Sequence, residues 1–432
     1  MLQKVISQFK SMLHNGIALC VMAMPLCALL YDPNVIFPFI TLKAFAFHSL
    51  SLLSLILCSI LFFIDEKFRI NLWLLFSNKL FQSNLIYFSF IIISGIFSEN
   101  YFVSLWGSSE RADGIYLQLF CFYLTVAACT VLNTNQWKMV FISLISVSVV
   151  LFIFQILQFS QSYYRPGSLL NQPTFLASFY VISIGSCLLL NSTMNHSRFN
   201  LLYKSITYSL IIVFILGIII SGTRASFLAI TLALAATYFF YKKISLKQAL
   251  LVGAISLLLI LGGLLIAFNL FNLDFNKSIT RIFNIQGNLT TLHSRLINVL
   301  ISLNAINPIE VGFKNFLIGW GWGNYYLAWD YSYMPMINHF DPVPFDKAHN
   351  TYLDILVSTG LIGFVAFNFL IYKIFQSILS LKHLMLKLSL LFIFTSKFIE
   401  LFFTFDSVTG LMIGQIIFSY LIFIDLFNKE DI

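Results

Sequence analysis

Twelve apolar runs divide this chain, and each is long enough, or nearly so, to cross about 30 Å of hydrocarbon at ~1.5 Å per helical residue. They fall at roughly 15–31, 40–64, 82–98, 115–132, 137–158, 173–190, 203–221, 224–241, 247–271, 351–375, 386–404 and 408–427. Lipid offers peptide groups no hydrogen-bond partners, so a continuous apolar stretch of this length has to be an α-helix. The expected fold is therefore all-α, a polytopic membrane protein of about 12 transmembrane helices. Composition agrees: 59% of the 432 residues are hydrophobic, 10% are charged and the mean hydropathy is +0.89, which excludes a water-soluble globule. Forty-eight Phe and 19 Tyr suit lipid-facing and interfacial surfaces.

Lysine and arginine set the orientation. With the N-terminus in the cytoplasm, fifteen of the 25 fall on the inner side, among them Lys4, Lys10, Lys138, Lys204, Lys242 and Lys387. The short outer loops hold only Arg111, Arg165 and Arg224, while Lys43 and Lys397 lie inside apolar runs. This divides the chain into helices 1–9 over 1–271, one long hydrophilic extracytoplasmic loop over 272–350, and helices 10–12 over 351–432. A loop of that size is small for an independent catalytic domain, so its function is expected to depend on the membrane surface beneath it.

The net charge of +8 forms no stripe or cluster, so it reads as topology and no nucleic-acid partner is expected. All six cysteines lie in or beside apolar runs, which argues against a disulfide framework. The first apolar run has no evident small-residue cleavage site, and a signal anchor is expected. Walker and dinucleotide glycine patterns are missing, as are acidic metal-binding pairs in the inner loops. No cofactor is expected. His339, Asp341, Asp346 and His349 have no zinc-like spacing, so no metal site is expected either.

The residues able to carry chemistry face the outer side. Arg224 sits in Ser221-Gly-Thr-Arg224, a tight turn between two spans, where a guanidinium is either an interfacial snorkelling group or a functional one. Arg295 opens an amphipathic helix that should end before Pro308, and its planar fork suits phosphate. In Gly319-Trp320-Gly-Trp322-Gly-Asn324 the glycines permit close backbone approach and the rings can stack on a sugar; a glycine-kinked hairpin at the membrane surface would need the same residues. Ala348-His349-Asn350 closes the loop at the mouth of a helix, where His349 is placed to accept a proton or simply to cap the helix. Arg111 and Arg165 lie in outer loops that can fold over the same cavity, and Asp346 or Asp354 can orient His349.

The ordered set of motifs resembles the O-antigen ligase and polymerase superfamily, which includes protein O-oligosaccharyltransferases. It runs from Gly107-Ser-Ser-Glu-Arg111-Ala-Asp-Gly114 through Asn171-Gln-Pro173, Ser221-Gly-Thr-Arg224, Ser294-Arg295 and Gly319-Trp-Gly-Trp-Gly-Asn324 to Ala348-His349-Asn350, with Gly360 and Gly363 beyond. The resemblance implies a GT-C-like glycosyltransferase in the bacterial inner membrane with its long loop in the periplasm. Its donor would be an undecaprenyl-diphosphate-linked glycan and its acceptor a hydroxyl of lipid A–core, of a growing polysaccharide or of a protein. By the same resemblance Arg224 and Arg295 grip the diphosphate and His349 is the essential histidine. Arg111, Arg165, Trp320, Trp322, Asn324 and Asn350 are the expected substrate-binding residues. The chain stops at Ile432 with no soluble C-terminal domain of the kind some protein-glycosylating members carry, and no glycine follows Arg165 or Arg295 after ten residues, as in some polymerases. Both points favour the ligase among the three.

Two other classes compete. A transporter or flippase predicts polar groups at mid-membrane, for which Lys43, Lys397 and Glu400 are the support, yet no inverted repeat is visible. A structural partner without catalysis requires the loop motifs to be incidental.

Overall fold

The computed structural model describes residues 2–161, 165–193, 200–242, 289–333 and 345–427. Among these, every regular element is helical. The α-helices are α1 (Leu2–Ala23), α2 (Thr41–Ile64), α3 (Glu66–Ser77), α4 (Lys79–Ile96), α5 (Tyr101–Trp106), α6 (Ile115–Val131), α7 (Thr134–Ser160) and α8 (Pro173–Thr193). They continue with α9 (Asn200–Ser221), α10 (Arg224–Lys242), α11 (Leu289–Asn304), α12 (Pro308–Ile318), α13 (Tyr325–Tyr333), α14 (Thr351–Ser380), α15 (Leu384–Glu400) and α16 (Val408–Phe427).

Nine candidate spans among the described residues are long and apolar enough to cross a bilayer, against twelve expected. The difference has physical reasons. The runs at 115–132 and 386–404 do form helices, but α6 and α15 have 17 residues each, about 25 Å, which is short for a span. The run at 247–271 lies outside the described residues. The loop expected to be hydrophilic holds three helices where described and is more apolar than anticipated: Arg295–Asn304 and Pro308–Ile318 together meet the criteria for a span, with an 89° bend between them. Pro308 causes the bend, since it cannot donate to α11 and holds Asn307 in extended backbone, where the Asn307 side chain accepts from Ile309 N at 3.2 Å. The helix that begins before Arg295 ends at Asn304, ahead of Pro308.

The chain divides into two compact units. The first comprises Met1–Val140, Thr290–Ser377 and Phe402–Asp431; the second comprises Phe141–Leu289, Ile378–Leu401 and Ile432. In the first, α16 lies along α6 through small polar groups: Cys129 Sγ donates to Ser419 O at 3.2 Å, and Ser419 Oγ donates to Thr125 Oγ1 at 3.0 Å. Such contacts hold helices together where lipid supplies no hydrophobic drive. In the second, α8, α9, α10 and α15 pack on one another and on the end of α7. Gln155 Nε2 donates to Gly217 O at 2.8 Å, and Tyr180 Oη donates to Gln155 Oε1 at 3.0 Å.

The mid-membrane cations have local partners. Lys43, 2% exposed, donates to Leu30 O at 2.8 Å, and Lys397 donates to Ser178 Oγ at 3.5 Å. Glu400 accepts from Ser226 Oγ at 2.5 Å. All six cysteines are buried and free.

One break in regular structure organises the first unit. Inside α14, Gly360 has φ +66°, so the carbonyls of Val357 and Ser358 lose their helical donors. Trp320 N donates to Val357 O and Gly321 N to Ser358 O, both at 3.0 Å, and Ser94 Oγ also donates to Ser358 O. The two backbones run too close for a side chain. A Cβ on Gly319 (φ +86°) would stand 2.3 Å from Ser358 O, and one on Gly360 2.4 Å from Leu317 C. The glycines of this motif therefore serve a crossing of backbone on backbone.

Candidate functional site

Four stretches distant in sequence build a polar cluster in the first unit: 107–114, the start of α11, 345–354 and 402–406. Asn350 starts α14 as its N-cap, its Oδ1 accepting from Tyr352 N at 3.0 Å and Leu353 N at 3.2 Å. Thr351 fixes that end to the last stretch, donating from both N (3.2 Å) and Oγ1 (2.8 Å) to Thr404 O. Three residues before Asn350, the Lys347 side chain turns inward. The residue is 6% exposed, and its Nζ lies 2.7 Å from Asp113 Oδ2 and 3.4 Å from Asp354 Oδ2. Burial works against its charge, but the carboxylates of Asp113 and Asp354 outweigh burial and hold the ammonium well above its ordinary pKa.

His349 is held between these anchors in the left-handed region, φ +53°, a conformation that a non-glycine residue keeps only when its surroundings fix it. Its ring meets Phe345 edge-on at 5.4 Å and Phe405 at 5.3 Å. Burial lowers the imidazole pKa, Asp346 opposes the shift, and the charges of Arg295 and Arg111 reinforce it. The ring is thus neutral at pH 7 and able to accept a proton.

Arg111 forms a fork on Asp346, Nε to Oδ2 at 2.7 Å and Nη2 to Oδ1 at 3.1 Å, with its guanidinium 4.6 Å from the Phe405 ring centroid. Burial raises the Asp346 pKa, but the Arg111 hydrogen bonds and charge, aided by Lys347, bring it below the ordinary carboxylate value. Arg295 is exposed; its Nη2 donates to Phe403 O at 3.3 Å and its guanidinium stands 5.8 Å from the Phe403 ring. The Phe402–Phe405 stretch therefore braces three candidates at once, and sequence reasoning missed it. Its only trace there was the break in apolarity between the last two runs.

The aromatic motif divides in two. Trp320 is 4% exposed in a core with Ile301, Tyr325 and Val357, and its Nε1 donates to Ala305 O at 2.8 Å. Trp322 is half-buried and donates from Nε1 to Asp113 O at 2.8 Å, which ties the motif to the Arg111 loop. Asn324 Nδ2 donates to Ser104 Oγ at 3.0 Å. Asp113 and Lys347 were not singled out in the sequence, since each is a lone charge beside a more conspicuous neighbour.

The second unit presents a different arrangement. Arg224 is the first residue of α10, after Gly222 at φ +61°. Thr223 Oγ1 donates to Pro173 O at 3.3 Å, bringing the starts of α8 and α10 together, and Arg165 Nε donates to Ser221 O at 3.3 Å. Two arginines and two helix N-termini lie at this end of the unit, together with the Glu400 carboxylate on Ser226 in the first turn of α10. Thus Arg111, Arg295, His349 and Asn350 gather in the first unit and Arg165 and Arg224 in the second.

Among the described residues, no three His, Cys, Asp or Glu gather as metal ligands; His339 and Asp341 lie outside them. No curated protein matches the chain. A family model described as O-antigen ligase matches residues 209–368, a stretch that includes Arg224, Arg295, Trp320, Trp322, Asn324, His349 and Asn350, and stops short of Arg111 and Arg165. The chain thus carries, over residues 209–368, the domain of the O-antigen ligase superfamily.

Proposed function

We propose that this protein is an inner-membrane glycosyltransferase of twelve spans and GT-C-like architecture. It moves a glycan from undecaprenyl diphosphate to a hydroxyl at the periplasmic face, with lipid A–core as the acceptor. The observation that carries the reading is His349: a half-buried histidine held in a left-handed conformation, kept neutral by burial and by Arg295 and Arg111, inside the O-antigen ligase domain.

In the reaction the acceptor oxygen attacks the anomeric carbon as its proton passes to His349. The bond from that carbon to the diphosphate breaks, its electron pair leaving on the diphosphate oxygen, and the anomeric configuration inverts. Arg224 and Arg295 stabilise the negative charge that grows on the leaving group, with Arg165 supporting the first from its turn. Arg111 acts through Asp346 and Phe405 on the His349 side. Trp322 and Asn350 border the glycan, and Trp320 and the fully buried Asn324 support them from the core.

Complementation tests the reading. The wild type and the Arg224→Ala, Arg295→Ala and His349→Ala variants are expressed in a host without its own O-antigen ligase, and lipopolysaccharide banding is compared with membrane abundance. Banding restored by the wild type alone is the expected result. Normal insertion without banding would refute the lipid A–core acceptor and direct assays to polysaccharide and protein acceptors.

A further inference from the structure

We propose that the end of the second unit remote from Arg224 binds an anionic phospholipid of the surrounding leaflet through its phosphate. A cavity of about 520 Å³ lies there among the last turns of α8 and α10 and the first turns of α9 and α15. That volume is within the range of small-molecule sites. Arg224 starts α10 whereas Tyr241, on the cavity wall, lies near its end, about 25 Å away along the helix. The ligand here is therefore distinct from the one Arg224 meets, and the inference is independent of the glycan-transfer reading.

Two donors of the lining, the Lys204 ammonium and the Asn191 amide nitrogen, lie beside hydroxyls and carry no anionic partner among the described residues. Among the described residues, Lys204 is the one charged residue of the lining, no carboxylate lines the cavity, and Lys204 has no ion pair. Asn191 accepts from Thr207 Oγ1 at 2.8 Å, which leaves its amide nitrogen, buried and without a hydrogen-bond partner, to donate. A buried N–H with no acceptor is costly, and an oxyanion beside an ammonium is the chemistry that satisfies both. The rest of the wall is mainly apolar, with Leu188, Leu234 and Phe392 offering a path for hydrocarbon. A soluble anion would leave that wall wet, whereas an amphiphile with a phosphate head fills both parts. Lys242 and Lys387 lie at the same end of the unit, as headgroup phosphates favour.

Native mass spectrometry of the purified full-length chain tests this, with phosphatidylglycerol and a diacylglycerol of the same acyl chains as probes. The wild type should retain one phosphatidylglycerol and no diacylglycerol. Lys204→Gln should lower retention about tenfold, the loss expected on removing one charge-assisted hydrogen bond. Leu234→Trp, which fills the cavity, should abolish retention, while Lys373→Gln in the other unit should leave it unchanged. Thermal unfolding of each variant separates lost binding from lost fold, and Lys204→Gln, at a half-buried position, keeps the test decisive if the tryptophan variant misfolds. Equal retention by wild type and Lys204→Gln, or of diacylglycerol and phosphatidylglycerol, would overturn the proposal.

Discussion

The charged residues of the two units are organised differently. In the first unit they belong to stretches far apart in sequence and are paired: Arg111 forks onto Asp346 across 235 residues, and Lys347 bridges Asp113 and Asp354. In the second the two candidate arginines meet at a single turn, Ser221-Gly-Thr-Arg224, with Arg165 joined to it through a backbone carbonyl and the Glu400 carboxylate on Ser226 close by. The first arrangement fixes a residue's pose and pKa, whereas the second sets two arginines at the start of a helix. On the proposed function the first unit supplies the base, His349, and one leaving-group cation, Arg295, while the second supplies the other cation, Arg224.

The largest effect expected is at the base. His349→Ala should lower glycan transfer by about 10²–10⁴-fold, the usual contribution of a general base. His349→Gln should fall equally, since it keeps the volume without the basicity; reconstituted transfer assays read both. Arg224→Ala should cost about 10²–10³-fold, as for a lost transition-state donor, so a variant with full activity would remove the second unit's turn from the reaction.

Next comes the clamp behind the histidine. Lys347→Met leaves two buried carboxylates unpaired and should cost about 3–5 kcal/mol of stability, with Lys347→Arg recovering part of it, as thermal unfolding in detergent would show. Should Lys347→Met keep both stability and rate, the pairing in the first unit would not be what holds His349.

A subtler effect concerns pH. The base must be neutral, and the folded pKa of His349 lies below its ordinary value of about 6.5, so the midpoint of the acid limb should fall on the acid side of that value. Arg295 lowers that pKa, so Arg295→Gln should raise it and shift the acid limb upward, whereas Asp346→Asn removes a raising charge and should shift it downward. Limbs moving together or not at all in pH–rate profiles would contradict the electrostatic account. Smallest is Asn350→Ala, which removes a helix cap and should cost about 1 kcal/mol in unfolding measurements.

What the sequence revealed follows from the range of each interaction. Helices were legible because apolarity over some twenty residues is a local signal, and eleven of the twelve runs form helices among the described residues. The Arg224 turn and the Ala348-His349-Asn350 mouth were visible as contiguous motifs. The partners of Arg111 and Lys347 were not, since nothing local distinguishes a carboxylate hundreds of residues away. Glycines around Trp320 indicate close backbone approach, whether to a ligand or within a kinked hairpin, and in the fold Gly319 and Gly360 give room to each other's backbone; a glycine shows that space is needed and leaves open what fills it. The 89° bend at Pro308 was signalled by proline, but the apolar character of the helices it joins was hidden by their short separate lengths.

The most direct test of the central claim is a reconstituted transfer assay. The purified chain is given an undecaprenyl-diphosphate-linked glycan and lipid A–core, and product is measured for wild type, His349→Ala and His349→Gln at matched folding. The account predicts transfer by the wild type and near-complete loss in both variants, with the donor still bound. Transfer by His349→Ala at the wild-type rate would contradict it.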